Sequence, residues 1–261
     1  MTWTLWPFGV GQEWTLIIKS TFLCGIAVGK VPHSKVKPET MLEHLKNVLN
    51  PSSWRRARSA PLAEWAQDHA LSFNPMMGGA YSLAGRWRDR PVRIECLEAS
   101  RPFIQGMELM ARADLGLKPQ GNVVIMNRRL KEVLEAQSRA LYSQYTDELQ
   151  TMAGVVPEEV RWLAMYRDAG WAGPDRSFWG RYAVLTDSPE VARRWIDNET
   201  EQHLMDWPEW VSDETPMMLM LQRGKTYMRM QIDRSSDTAT ALHALGLFDR
   251  ASQRALEMAT H

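Results

Sequence analysis

Six histidines, two cysteines and a few close carboxylates are the residues whose types could do chemistry, and their spacing argues against most of it. His33, His44, His69, His203, His243 and His261 form no H-x3-H or H-E-x-x-H pattern, and no Cys-x-x-Cys set partners them, so a metal hydrolase lacks its ligand spacing. Cys24 and Cys96 are too few for a four-thiolate zinc site or a disulfide framework. Cys96 falls in an alternating, strand-like stretch and reads as a buried, inert thiol. No G-x-S-x-G nucleophile elbow is present, and the Gly78-Gly79 pair precedes a strand pattern rather than the helix that a phosphate loop requires. Glu158-Glu159 and Glu199-x-Glu201 could in principle share acid and base roles. Adjacent or i, i+2 carboxylates diverge on a helix, however, and read as solvated surface. From spacing alone, no catalytic, metal-ligating or cofactor-binding residue is assigned, and no cofactor is expected.

Recognition is the remaining chemistry. Trp207-Pro208-Glu209-Trp210 sets two large aromatics in an interrupted stretch, and aromatics carry much of the energy of protein interfaces. Trp207 and Trp210 are therefore the candidate partner-binding residues, the competing reading being that they cap a core beneath a loop. Arg86, Arg88, Arg90 and Arg93 cluster about one hairpin, where guanidinium forks could hold an anion or guard an exposed sheet edge; the edge is the favoured reading. Trp54-Arg55-Arg56-Ala57-Arg58 reads as a solvated connector. Lys+Arg and Asp+Glu are 31 each, so no global field draws the chain to nucleic acid.

The elements that must hold these residues follow from periodicity. An apolar N-terminal segment (1–37) contains Trp14 to Val28, which is shorter than the about 20 residues of a spanning helix and interrupted by Lys19. It reads as a buried strand, hairpin or core helix. Lys30, Lys35 and Lys37 follow it as they would a membrane segment, so membrane association through residues 14–28 stays open. A helical region (38–72) comprises a helix from Pro38 carrying Met41, Leu42, Leu45, Val48 and Leu49, a stop at Asn50 to Ser53, and a helix from Pro61 to about Leu71. His69 on the latter is structural.

The main domain (73–261, with sub-halves 73–156 and 157–261) opens with a connection from Phe73 to Gly79. Strands follow at Tyr81–Trp87 and Pro91–Leu97, turning at Arg88-Asp89, with a third within Phe103–Leu115 and a buried one at Val123–Met126. Asn127 caps a long helix bearing Leu130, Val133, Leu134, Leu141 and Tyr145. Asp147 to Val156 continues it or breaks near Gly154, Pro157-Glu158-Glu159 starts a short helix to about Arg167, and Asp168 to Ser177 is a loop. Phe178 to Thr186 reads as a strand, Asp187-Ser188-Pro189-Glu190 as a capped helix start, and the helix as reaching Leu204. Met217 to Ile232 folds as a hairpin about Arg223-Gly224, and a last helix runs from about Thr238 with Leu242, Leu245, Phe248, Ala255 and Leu256 on one face.

The expected fold class is α+β: an antiparallel sheet built from hairpins, with flanking helices and a helical N-terminal region. Val123 to Asn127 and Ala183 to Asp187 each lead from an apolar run into a helix, and each half holds one hairpin, so pseudo-duplication and coincidence of common motifs both stand.

Phe178-x3-Tyr182-x-Val184, Asp187-x-Pro189-Glu190-x-Ala192 and the hairpin Leu219-x-Leu221-x2-Gly224-x2-Tyr227, with the earlier Gly85-Arg86 and Arg90-Pro91-Val92, resemble a group of uncharacterised bacterial domains. The resemblance spans roughly 81–232. It implies a bacterial domain without assigned catalytic residues, in a group whose members often carry N-terminal membrane segments; Lys19 departs from a strong anchor. The expected function is a binding or accessory module acting through contacts with an unknown protein partner, in the cytoplasm. The alternatives are an enzyme whose site is assembled only in the fold, and a domain associated with the inner membrane through its N-terminal segment.

Overall fold

Strands with period-two patterning bury one face and strands apolar throughout bury both; this chain sets the two kinds side by side. The computed structural model describes residues 51–144, 157–232 and 237–260. In chain order these form α1 (Pro51–Asp68), β1 (Leu71–Pro75), β2 (Tyr81–Trp87), β3 (Arg90–Glu98), β4 (Met107–Asp114), β5 (Val123–Asn127), α2 (Arg128–Gln144), α3 (Glu158–Met165), β6 (Arg167–Ala169), α4 (Arg176–Arg181), β7 (Tyr182–Thr186), α5 (Pro189–Trp195), α6 (Asn198–Met205), β8 (Met217–Gln222), β9 (Lys225–Ile232) and α7 (Thr238–Ala259). The nine described strands make one sheet in the order β1-β2-β3-β4-β9-β8-β5-β7-β6, with every neighbouring pair antiparallel. The fold is α+β, with helices flanking an antiparallel sheet. The hairpin β8–β9 lies between β4 and β5, so strands from 73–156 and from 157–261 interleave.

One face of the sheet is covered along its length. Leu83, Ile94, Leu109, Ala111, Met228, Leu219, Ile125 and Val184 are buried there beneath α1, α5, α6 and α7, whose Leu62, Ala66, Trp195, Leu204, Leu245 and Phe248 join the same core. The second face is covered over only part of its width. Val124, Met126, Ala183, Leu185, Met218 and Met220 pack under Leu130 and Leu134 of α2 and Trp162 of α3. Across β2, β3 and β4 that face carries exposed Ala84, Arg86, Arg93 and Arg112. β5 and β8, apolar but for their last residues Asn127 and Gln222, thus sit between two helical layers, whereas among the described residues the alternating strands form a two-layer region with one open face.

Both hairpins turn as expected. Arg88 and Asp89 have φ of 49° and 62°, and Arg223 and Gly224 have 51° and 72°, the twin positive values that match strand twist in a tight two-residue turn. A Cβ at Gly224 would lie 2.0 Å from the Leu117 carbonyl oxygen, so glycine is required there.

Several local expectations are corrected. Residues 54–58, expected as a connector, lie within α1, which runs from Pro51 to Asp68 through Pro61 instead of opening at Pro61. Phe73 to Gly79, expected as a connection, holds the end of β1 and a one-turn helix, and β1 pairs with β2. Asn127 ends β5 instead of capping α2: its Nδ2 donates to the carbonyls of Asp213 (2.8 Å) and Thr215 (3.0 Å), tying the approach to β8. Residues 167–169 form the edge strand β6. Phe178 begins no strand. Asp175 accepts from the Arg176 amide and opens α4, so Phe178 and Tyr182 are neighbours one helical turn apart, a spacing that strand alternation also satisfies. The helix expected to reach Leu204 is two, α5 and α6, and Ser188 makes no side-chain cap. The expectations for Trp14 to Val28, the helix from Pro38 and residues 147–156 lie outside the described residues. No described helix is long and apolar enough to cross a membrane.

The break between α5 and α6 is made by Asp197, whose Oδ1 accepts from the Thr200 amide (2.9 Å) and hydroxyl (2.8 Å). Burial raises this carboxyl, but the Thr200 bonds with Arg250 and Arg254 outweigh it and hold it below its ordinary value. Asp197→Ala is expected to cost about 1–2 kcal/mol at neutral pH. Because the folded value is depressed, this contribution is full above the unfolded carboxyl value of about 3.9 and is lost as pH falls through the folded value. Urea midpoints of wild type and variant should therefore converge in acid; a gap that is constant with pH would contradict the assignment.

Candidate binding cleft

The alternation of β9 places Tyr227 and Arg229 on the second face of the sheet, just where the cover of α3 ends. A cleft of about 340 Å³ forms at this step. The sheet contributes Met220, Gln222, Tyr227 and Arg229 to its walls, and α3 contributes Trp162 and Met165, with Tyr166 just beyond it. Helical spacing explains the second wall: Trp162 is buried against the sheet, while Met165, almost one turn on, is 69% exposed at the rim.

Arg101, Glu159 and Arg229 line the rear, and the fully buried Glu108 pairs with Arg229. Arg229 Nε lies 3.1 Å from Glu108 Oε1, and its Nη1 lies 3.5 Å from Glu159 Oε1. Arg101, from the β3–β4 connection, approaches the same Glu159 oxygen with Nε at 2.7 Å. Glu108 Oε2 accepts from the Ser100 amide (2.7 Å) and hydroxyl (2.8 Å). The Arg229 contact to Oε1 is electrostatic without a well-directed hydrogen bond. Both carboxylates are buried, Glu108 at 0% exposure and Glu159 at 2%. Burial pulls the Arg229 guanidinium below its ordinary value, against the opposing pull of Glu108. Equal numbers of opposite charges account for such burial: each charge removed from water has a partner at contact distance.

This overturns the solvated reading of Glu158-Glu159. Glu158 is exposed, but Glu159, on the next side of the helix, turns in to meet Arg101 and Arg229. Arg101, Glu108, Glu159 and Arg229 come from four separate parts of the chain, so no motif spacing could have joined them. The alternation of β4 and β9 puts Glu108 and Arg229 on one face, which is the only local signal they carry.

The arginine cluster is also corrected. Its hairpin is not at an edge, since β1 pairs along the outer side of β2. Arg88 stacks over Trp87 at 4.9 Å and donates to Gln253 of α7 (3.3 Å). Arg86 and Arg93 instead stand on the open face beside the cleft.

Trp207 and Trp210 both rest on the first turns of α7, in different ways. Trp207 is half-buried: its Nε1 donates to the Tyr182 hydroxyl (2.8 Å), which donates to the Leu204 carbonyl (2.5 Å), and its ring lies 4.5 Å from that of His243. Burial pushes Tyr182 up to about 12 and His243 below its ordinary value. Trp210 is 65% exposed, with Nε1 donating to Thr240 Oγ1 (3.1 Å). Trp207→Ala is expected to cost about 1–3 kcal/mol through lost packing and the lost bond to Tyr182. Trp210→Ala should stay within about 1 kcal/mol. Thermal or urea unfolding of the two variants checks this, and equal losses would contradict the division.

The other candidate groups are quiet. Cys96 is buried, and burial pushes its thiol up to about 11, far from a reactive thiolate. His69 stacks on Trp65 at 3.9 Å and bonds its carbonyl through Nδ1 (2.7 Å), a structural role. Among the described residues, no three His, Cys, Asp or Glu side chains are grouped to hold a metal ion.

The fold and cleft define an antiparallel α+β domain with one partly open sheet face. No family model matches the chain, and no curated protein matches it in sequence. Among solved structures, it is similar to the crystal structure of the mycobacterial trehalose monomycolate transport factor A, TtfA. The two are 12% identical, with a TM-score of 0.42 over 76% of this chain and 94% of that one, a likeness too slight to support any inference about function.

Proposed function

We propose that this chain is a non-catalytic binding module that engages a partner protein through the cleft between α3 and β9. The carrying observation is the lining: Trp162, Met165, Tyr166, Tyr227, Arg101 and Arg223 are of the types enriched where protein interfaces concentrate their energy. Glu108 and Glu159 are each engaged by a guanidinium group, which favours recognition over an assembled active site. Trp210, with its exposed ring, is proposed as a separate partner contact; Trp207 contributes by holding the loop.

A photo-crosslinking residue in place of Tyr166, compared with one at exposed Glu64 on α1, tests the reading in cells producing the protein. A discrete protein adduct from position 166 and none from 64 is expected; no adduct from 166, or the same adducts from both, would overturn it. The proposed compartment is the cytoplasm, supported by the buried free thiol of Cys96. Sedimentation of the full chain with membranes, lost in a version beginning at Pro38, would favour tethering through residues 14–28 instead.

A further inference from the structure

The open face beside the cleft carries more positive charge than its own carboxylates balance, although Arg86 donates to the Asp89 carbonyl of its hairpin turn. Arg93 of β3 and Arg112 of β4 are directly opposite one another in the antiparallel register. Like charges in that relation destabilise a sheet. Both are exposed, Arg93 with 71% of its side chain in solvent. Arg112 is in turn opposite Tyr227 of β9, with its guanidinium carbon 5.7 Å from the ring centroid. A single row across the sheet therefore runs Ala84, Arg93, Arg112, Tyr227, and Tyr227 is also a wall of the cleft.

The charges on this face do not cancel. Arg93 holds Glu95 at 2.7 Å and Lys225 holds Asp114 at 2.7 Å, while Arg86 and Arg112 make no ion pair among the described residues. Edge protection cannot account for them, because β2, β3 and β4 are all internal to the sheet. What remains is a positive, partly apolar floor, with Met110 and Tyr227 half-buried between the arginines.

We propose that this face binds an acidic segment of a partner protein, whose carboxylates pair with Arg93 and Arg112 while its apolar side chains meet Met110 and Tyr227. This rests on the binding-module reading and names the chemistry of the partner. Charge complementarity selects the occupant: guanidinium forks match carboxylates, and a carboxylate between Arg93 and Arg112 would relieve their repulsion. A nucleic acid fits less well. Glu95 and Asp114 interrupt the face and would oppose a continuous row of phosphates.

The test is fluorescence anisotropy of the full chain with three labelled probes: a Glu-Ala-Glu-Leu repeat peptide, its Gln-Ala-Gln-Leu counterpart and a single-stranded oligothymidylate. The glutamate peptide should bind, weaken as salt rises, and lose roughly tenfold or more in affinity with the double variant Arg93→Gln/Arg112→Gln. The variant should unfold at the same or a higher urea midpoint than wild type, since a repulsive pair is removed. Equal binding of the glutamine peptide, tighter binding of the oligonucleotide, unchanged affinity in the variant, or no binding of the glutamate peptide would overturn the proposal. A partner crosslinked from position 166 together with no preference for glutamate would defeat the acidic chemistry and leave the binding module standing. Absence of that crosslink would defeat the module itself.

Discussion

Arg229→Ala is expected to destabilise the protein by about 3–5 kcal/mol, the loss typical of breaking a buried charge pair from one side. The substitution leaves Glu108 with only its Ser100 bonds and Glu159 with only Arg101. Two carboxylates would then be buried at the rear of one cleft with one cation between them. Removing both ends of the Arg229–Glu108 pair should cost less than the sum of the separate losses, because no unpaired charge is left behind. Arg229→Met with Glu108→Leu serves for the double replacement, and urea midpoints at constant m give the comparison. Losses below about 1 kcal/mol for Arg229→Ala would show that water reaches the cluster and that the cleft has no fixed rear wall.

Trp195→Ala should be as severe, at about 3–5 kcal/mol, for a different reason. Trp195 of α5 is fully buried, and its Nε1 donates to the Ala251 carbonyl of α7 at 2.9 Å. Truncation opens a cavity between two helices on the covered side of the sheet. Trp195→Phe keeps most of the volume, and the Ala251 carbonyl lies inside a helix that supplies another donor, so its loss should be about 1–2 kcal/mol. If phenylalanine and alanine cost the same, the hydrogen bond rather than the volume is what matters. Partner binding should survive Trp195→Phe, because the cleft lies on the opposite face.

The hairpins and the last helix were legible because their signals are local. Val92, Ile94 and Cys96 alternate with Arg93 and Glu95, and the strand buries the first set and exposes or half-exposes the second. The unbroken apolar run of β5 is buried at every position. Phe178 reads as strand because its relation to Tyr182 fits both an alternating strand and one helical turn, and the fold takes the helix, opened at Asp175. The α5–α6 break depended on Asp197 serving as a cap, which competed with a continuous apolar face through Trp195, Ile196 and Leu204. The cleft was illegible for a stronger reason. Glu159 is indistinguishable in sequence from its exposed neighbour Glu158, and its burial depends on arginines 58 and 70 positions away. Trp207 and Trp210 look alike in sequence, and the Tyr182 hydroxyl and the His243 ring separate a core support from an exposed ring.

The central claim is that partner recognition belongs to the cleft. Affinity capture with wild type, a Met165→Glu/Tyr166→Ala variant and Trp210→Ala, compared at matched unfolding midpoints with identified partner bands, tests it most directly. The account predicts that the cleft variant loses the partner crosslinked from position 166, by roughly thirtyfold or more if the rim is a hot spot of about 2 kcal/mol. Full recovery by the cleft variant, with loss confined to Trp210→Ala, would contradict it and move recognition to the loop before β8.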